Sequence, residues 1–469
     1  MENPFVKQTK PRLTQIVSIV ALLVFLPIML FGANEFVTIL FTKASGTPAN
    51  IVVNTKIVLE PLDLNFYHAF SQGGEESKDM LKPVIAEVRN LKPQLIRLDH
   101  LYDHYDVVGK SGDQLTFDWT RLDEAVDSII ATGAKPLLAL SYMPSAIAKD
   151  GIIINTPNNW NDWATVVQKT IEHYSGRSGK NLSGIYYEVW NEPDLAQFGS
   201  WKYGGEKSYI TLYQYASTGA KRAANVNTFY LGGPGTTGLY KSWILALVNS
   251  GARVDFLSWH TYQWNPSKYA EDQENLAAWL LPFPRYSLVP KMITEFGPTG
   301  DKSNVYGTVY GAAYTAASVR QMISNGISYA FSFQPKDGPG QESGNGWGLI
   351  THESNGKRLK PRYHVYSFLD TMAGKRVSLS GEGTWVTGFA STRDNTFRVL
   401  LVNFDTNGKH SEVVPITIGG LSAGSYKVRQ RFFLGQDVTT TEQVTADTIS
   451  RKILMPASSI LQLEITKNP

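Results

Sequence analysis

Ile185-Tyr186-Tyr187-Glu188-Val189-Trp190-Asn191-Glu192-Pro193-Asp194-Leu195 reads as an apolar strand that surfaces abruptly on an acid. Pro193 cannot donate to a ladder and fixes the exit of the chain, so the strand stops beside Glu192. A second stretch, Lys291-Met292-Ile293-Thr294-Glu295-Phe296-Gly297, is another short strand ending on an acid. Parallel barrels keep their working side chains at strand ends of this kind. The two stretches together set the expected fold, an α/β (β/α)8 TIM barrel.

The flanking sequence extends that reading. A helix is expected with Leu122, Val126, Ile129 and Ile130 on one face and Gly133 just beyond its end. Expected strands are 57–59, 95–98, 136–140, 185–190, 229–232, 254–259, 292–295 and 329–333, with a helix over 160–174. Eight strand–helix alternations over residues 57–373 fit a barrel, and no Gly-rich phosphate loop follows the first strand. Beyond residue 373 the texture changes to short strand-like runs separated by pairs such as Asn407-Gly408 and Gly419-Gly420. That pattern predicts a C-terminal all-β sandwich over 374–469. Residues 43–56 read as a linker.

The amino terminus carries its own message. Lys7, Lys10 and Arg12 precede an uncharged run from Leu13 to Asn34 whose centre, 16–33, is almost wholly apolar. That length crosses most of a ~30 Å hydrocarbon layer and exceeds a signal-peptide core. Basic residues on its amino-terminal side keep that end in the cytoplasm. Residues 1–42 are therefore expected to form a cytoplasmic tip and transmembrane helix, with the remainder membrane-anchored outside the cytoplasm. The alternative is secretion after cleavage near Thr42-Lys43-Ala44.

Bulk composition narrows the function. Residues 1–44 hold four bases and two acids, so the remainder sets 40 bases against 39 acids. Near-neutrality gives no electrostatic case for nucleic acid. There is no cysteine, which excludes thiolate nucleophiles, disulfides and cysteine metal sites. The eight histidines show no metal-ligand spacing, so neither metal nor cofactor is expected. Aromatic residues make up 12% of the chain, a load that suits either sugar stacking or a large core.

Two carboxyls at one barrel mouth suit hydrolysis of a glycosidic bond with retention. One protonates the leaving oxygen and the other attacks the anomeric carbon, at a separation of ~5–5.5 Å. Asn191 is placed to hydrogen-bond a sugar hydroxyl beside the scissile bond. Taken singly, Glu192 also fits a helix-start acid and Glu295 a salt-bridge partner. As a pair in matching positions they point to catalysis.

Trp190-Asn191-Glu192-Pro193-Asp194-Leu195 resembles the acid/base motif of glycoside hydrolase family 39. Other segments of the same family are resembled by Phe117-Asp118-Trp119, residues 138–144, Gly232-Gly233-Pro234, residues 255–262, residues 346–350 and Lys360-Pro361-Arg362-Tyr363. The resemblance covers about 57–373 and implies Glu192 as acid/base, Glu295 as nucleophile and Asn191 as a substrate ligand. Glu188, two pleats deeper on the same face, is expected to be structural. His260 and Tyr262 would line the pocket. Arg97 and His100 are subsite candidates, with Arg97 orienting Glu295 through a charge-assisted bond. Tyr142 and Trp347 are candidate sugar platforms, and Asp337 is either a hydroxyl-binding or a solvated loop acid. Strand eight, Phe331-Ser332-Phe333-Gln334-Pro335, lacks the Trp often found there in the family.

The expected substrate is an extracellular or cell-surface polysaccharide. One alternative is an exo-acting β-xylosidase or related glycosidase on small oligosaccharides. A catalytically silent polysaccharide-binding protein is the alternative from another class.

Overall fold

The computed structural model describes residues 46–323, 326–341 and 345–468. The expected membrane anchor, 1–42, lies outside the described residues, among which no helix is long and apolar enough to cross a membrane.

The chain enters on β1 (Ile51–Leu62) and then builds the barrel. Its strands are β2 (Ala69–Gln72), β3 (Leu95–Leu98), β6 (Lys135–Leu140), β7 (Ile185–Val189), β8 (Phe229–Thr236), β9 (Phe256–Tyr262), β10 (Lys291–Gly297) and β11 (Tyr329–Phe333). A small hairpin of β4 (Val108–Ser111) and β5 (Gln114–Phe117) decorates the loop after β3. The barrel closes in the order β10-β11-β2-β3-β6-β7-β8-β9, with every pair parallel. Helices Thr120–Ala131, Trp160–Tyr174, Tyr209–Arg222 and Val309–Met322 are among those that wrap it.

The interior is layered by strand alternation. Ala69, Leu95, Leu137, Phe256, Met292 and Phe331 form an apolar plug at the amino-terminal end. One pleat higher the barrel strands present Ser71, Arg97, Glu188, Ser258 and Thr294, all with no exposed surface. A barrel whose middle layer is polar must satisfy those groups internally, and their hydrogen bonds prepare the mouth above.

One expected strand is corrected. Residues 57–59, read as the first barrel strand, belong to β1, which pairs antiparallel with β12 (Gly374–Ser380) and parallel with β15 (Glu412–Gly419). Ile57, Val58 and Leu59 are 43–48% exposed, so their apolar character marks a sheet surface and not a barrel core. The last six residues of the expected linker, 51–56, lie in the same strand. The barrel's first strand is β2, Ala69-Phe70-Ser71-Gln72, too short and half polar to announce itself.

With β13 (Val386–Arg393), β14 (Thr396–Asn403), β16 (Gly424–Phe432), β17 (Asp437–Val444), β18 (Thr448–Met455) and β19 (Ser459–Lys467), β1 completes one nine-stranded C-terminal sheet. Its order is β17-β16-β19-β14-β13-β12-β1-β15-β18. The sheet curls until β18 touches β17, enclosing Val53, Val377, Ile416, Val428 and Ile465. The opposite faces of β13, β14 and β19 give Phe389, Leu400, Val402 and Ile460 to the barrel's own core. Arg320 of helix Val309–Met322 donates to Glu382 and to the Gly388 carbonyl across the seam.

Candidate active site

Two local departures from regular strand geometry aim the acids. In β10 the pairing register slips between Ile293 and Glu295. Strict alternation sends neighbouring side chains to opposite faces, whereas a bulge lets both turn inward. Thr294 donates to Glu188 Oε1 at 2.9 Å while Glu295 still reaches the cleft. At the end of β7, Trp190 and Glu192 both adopt left-handed backbone, with φ of 73° and 42°. Such conformations cost ~1–3 kcal/mol each and persist where surroundings dictate them. Here Trp190 is fully buried and donates from Nε1 to the Phe198 carbonyl, and the Glu192 amide donates to the Gly235 carbonyl at 2.9 Å. Gly235 itself has φ of 58°, and a Cβ there would lie 3.1 Å from the Glu188 carboxyl carbon.

The two acids come close together. Donor atoms of Glu192, His260 and Glu295 all lie within 4.8 Å of one another. Carboxyl pairs of retaining glycosidases stand ~5–5.5 Å apart and those of inverting ones ~6.5–9.5 Å.

Arg97 organises the floor. With no exposed surface, it donates to Glu188 at 2.7 Å, Glu295 at 2.9 Å, Asn191 Oδ1 at 2.8 Å and Ser71 at 3.3 Å. The second Glu295 oxygen accepts from Tyr262 at 2.7 Å. Burial pushes the Glu295 carboxyl above its ordinary range, opposed by His260 and Arg97 and reinforced by Glu192. Two fixed donors on Glu295, Arg97 and Tyr262, favour its ionised form against that burial. Burial resists charging Glu188, but Arg97 and His260 hold it below the carboxylate range.

The remaining expected residues divide into walls and supports. Trp347, His100 and Tyr262 line the cleft of ≈ 490 Å³ above the acids. His260 is fully buried with Nδ1 2.9 Å from Glu192, so it supports the acids and does not form a wall. Tyr142 is 1% exposed and receives the Asn191 amide at 2.8 Å, which corrects its reading as a sugar platform. Asp337 is fully buried and paired with Lys360 at 2.7 Å, so it is neither a hydroxyl ligand nor a solvated loop acid.

The expectation of no metal-ligand grouping needs a spatial correction. His100, Asp103 and His104 bring three donor atoms within 4.8 Å, and Glu76, His352 and Glu353 do the same. The second group already holds the Lys336 ammonium, 2.5 Å from Glu76 and 2.6 Å from Glu353. In the first, Asp103 accepts from His100 at 2.7 Å. Burial opposes charging His100, yet Asp99 and Asp103 raise it from 6.5 to about 9. A raised histidine stabilises fully below its unfolded value and loses that contribution as pH climbs through the folded one. Wild-type protein is therefore expected to lose more stability between pH 6.5 and 9 than His100→Asn does, measured by urea unfolding across that window.

Sequence reasoning missed Glu75 and Asp99, which also line the cleft. Strand-end placement alone was available for Asp99, directly after β3; nothing marked Glu75.

Comparison with known proteins gives one family. The model of the family described as glycosyl hydrolases family 39 matches residues 68–420. A beta-xylosidase of Caldicellulosiruptor saccharolyticus is 31% identical over 160 residues, 32% of this chain and 32% of that protein. A beta-xylosidase of Geobacillus stearothermophilus is 25% identical over 307 residues, 57% of this chain and 58% of that protein. The matches thus span about a third and under three fifths of those relatives. Among solved structures, a monomeric beta-xylosidase from Caulobacter crescentus CB15 has a TM-score of 0.73 at 18% identity, covering 90% of this chain and 100% of that one. The GH39 enzyme from Xanthomonas axonopodis pv. citri has a TM-score of 0.70 at 18% identity, covering 90% and 98%. At such identity the structural likeness speaks for the fold.

Proposed function

Because the chain belongs to glycosyl hydrolases family 39, we propose that it cleaves glycosidic bonds with retention, using Glu295 as nucleophile and Glu192 as acid/base. The observation that carries this reading is the close approach of the two carboxyls, one of them clamped by Arg97 and Tyr262. In the first step the Glu295 carboxylate attacks the anomeric carbon as the bond to the leaving oxygen breaks. Glu192 passes its proton to that oxygen. In the second step Glu192, now ionised, takes a proton from water as the water oxygen displaces Glu295 from the same carbon. The two inversions restore the starting configuration. Asn191, held between Arg97 and Tyr142, presents its amide beside the reacting centre.

The natural substrate in this reading is a polysaccharide outside the cytoplasm, supported by the apolar amino-terminal run and its basic flank. The beta-xylosidase names of both relatives support a second reading, exo-acting release of xylosyl or related residues from small oligosaccharides. Digestion of the source organism's extracellular polysaccharide separates them. Shortened chains favour the polymer reading, and monosaccharide release favours the exo reading. Proton NMR of the first-formed product is expected to show the substrate's anomeric configuration, and the opposite configuration would exclude double displacement.

A further inference from the structure

Strand order divides the cleft into two sides. Glu192 follows β7, and Leu195, Gln197 and Phe198 on the same loop line that side with Thr237 after β8. This is where a leaving group protonated by Glu192 must depart. The arc β10-β11-β2-β3 faces it and receives the sugar unit that becomes bonded to Glu295. Two carboxyls stand on that arc, Glu75 in the loop after β2 and Asp99 at the end of β3. Both act electrostatically on Glu295, which places them beside the nucleophile.

These groups lack the partners that buried carboxyls ordinarily have. Asp99 is 3% exposed, its Oδ2 is 3.9 Å from Arg97, and its Oδ1 has no hydrogen-bond partner. Glu75 Oε2 is likewise buried and unpartnered. Beside Glu75 lies the fully buried Gln334 amide. Trp347 Nε1, on the same side, is also unengaged. Acceptors and donors left open around one space call for a ligand carrying several hydroxyls.

The charge of the space selects among such ligands. Five carboxyl groups line the cleft, and among the described lining residues His100 is the one cationic side chain, already tied to Asp103. Lys302 lies outside on the rim, exposed, 5.4 Å from the Trp347 ring centroid. A sugar carboxylate entering here would meet several acidic groups, and the one cation among the described lining residues is already paired.

We infer that Glu75 and Asp99 bind neighbouring hydroxyls of the sugar unit attacked by Glu295, and that this site accepts neutral glycosyl units and rejects uronic acids. The inference rests on the hydrolase reading above and adds the chemistry of the glycosyl unit. Burial and Asp99 raise Glu75 from 4.5 to about 7, so near neutrality it can accept from a hydroxyl or donate to one.

The test measures kcat/KM of the full chain on 4-nitrophenyl glycosides that differ at C6 alone. Glucoside is set against glucuronide and galactoside against galacturonide, in both anomers, with reducing-end release from xylan and polygalacturonate alongside. The neutral member is expected to win by at least about 100-fold, because unpaired buried polar groups discriminate strongly. Glu75→Gln and Asp99→Asn preserve shape; each is expected to raise KM for the neutral substrate and to shrink the preference about tenfold or more. A parallel loss on both substrates, leaving the ratio unchanged, would reduce these residues to a structural role and overturn the assignment. Equal or better wild-type turnover of the uronide would overturn the charge selection while leaving the hydrolase reading intact. Hydrolysis of no member of the panel would remove both.

Discussion

Glu295→Ala is expected to lower kcat on aryl glycosides by roughly 10⁵–10⁶, the scale seen when a covalent nucleophile is deleted. Added azide should restore turnover, since the truncated side chain leaves room for a small anion on the face that Glu295 occupied. The product is then a glycosyl azide of inverted configuration, because a single displacement has replaced two. Glu192→Ala behaves differently. Its deficit is expected near 10²–10⁴ and grows with the basicity of the leaving group, as loss of general-acid help predicts. Azide should rescue its second step with retained configuration. NMR of the two azide products distinguishes the roles, and the same configuration from both variants would undo the assignment. The floor beneath the acids explains why neither change should unfold the barrel. Glu188, Thr294 and Arg97 keep their mutual bonds without either catalytic carboxyl.

Arg97→Met is the converse experiment, removing the floor and keeping the acids. Glu188 and Arg97 are both wholly buried, and their 2.7 Å bond is joined by a second link from Arg97 to Glu295. Deleting the cation strands two buried carboxylates, which typically costs ~3–5 kcal/mol. A lowered midpoint in urea or thermal unfolding is expected, and Arg97→Met with Glu188→Gln should recover part of it. Activity carries a second signature. Arg97 opposes the burial that raises Glu295, so its loss moves that carboxyl further up. The ionised nucleophile then forms at higher pH, and the acidic limb of kcat/KM shifts to higher pH. An unshifted limb would show that Arg97 does not govern the charge of Glu295. Arg97→Lys keeps the charge but cannot span Glu188, Glu295 and Asn191 together, so it should not fully substitute.

Seven of the eight barrel strands and both acids could be read in the sequence because each has a local cause. Apolar runs of strand length end on Glu192 and Glu295, and Gly or Pro closes them. The first strand escaped because Ala69-Phe70-Ser71-Gln72 is only four residues long and spends two of them on polar groups. Its place was given to Ile57-Val58-Leu59, whose partner, β12, lies more than 300 residues further along and leaves no local trace. The site shows the same division. Arg97 as an orienter of Glu295 followed from strand-end position and charge. Tyr142 was misjudged because an aromatic ring near a barrel mouth looks alike in sequence whether it faces sugar or supports Asn191. Glu75 offered no periodicity at all; its place in the cleft is set by loops distant in sequence.

The C-terminal sheet joins β1 from before the barrel to strands made after it. During synthesis, β1 emerges first and must wait until the whole barrel and β12 have left the ribosome before it can pair. Closing so long a chain loop costs only slightly more entropy than closing a short one, but it delays completion and leaves a strand edge open meanwhile. The barrel is thereby stapled at both ends. A chain cut at residue 57, where the catalytic region would be placed from sequence, loses the segment paired with residues 378–380 and 416–419. Such a fragment should aggregate or be degraded, whereas one beginning before residue 46 retains the staple.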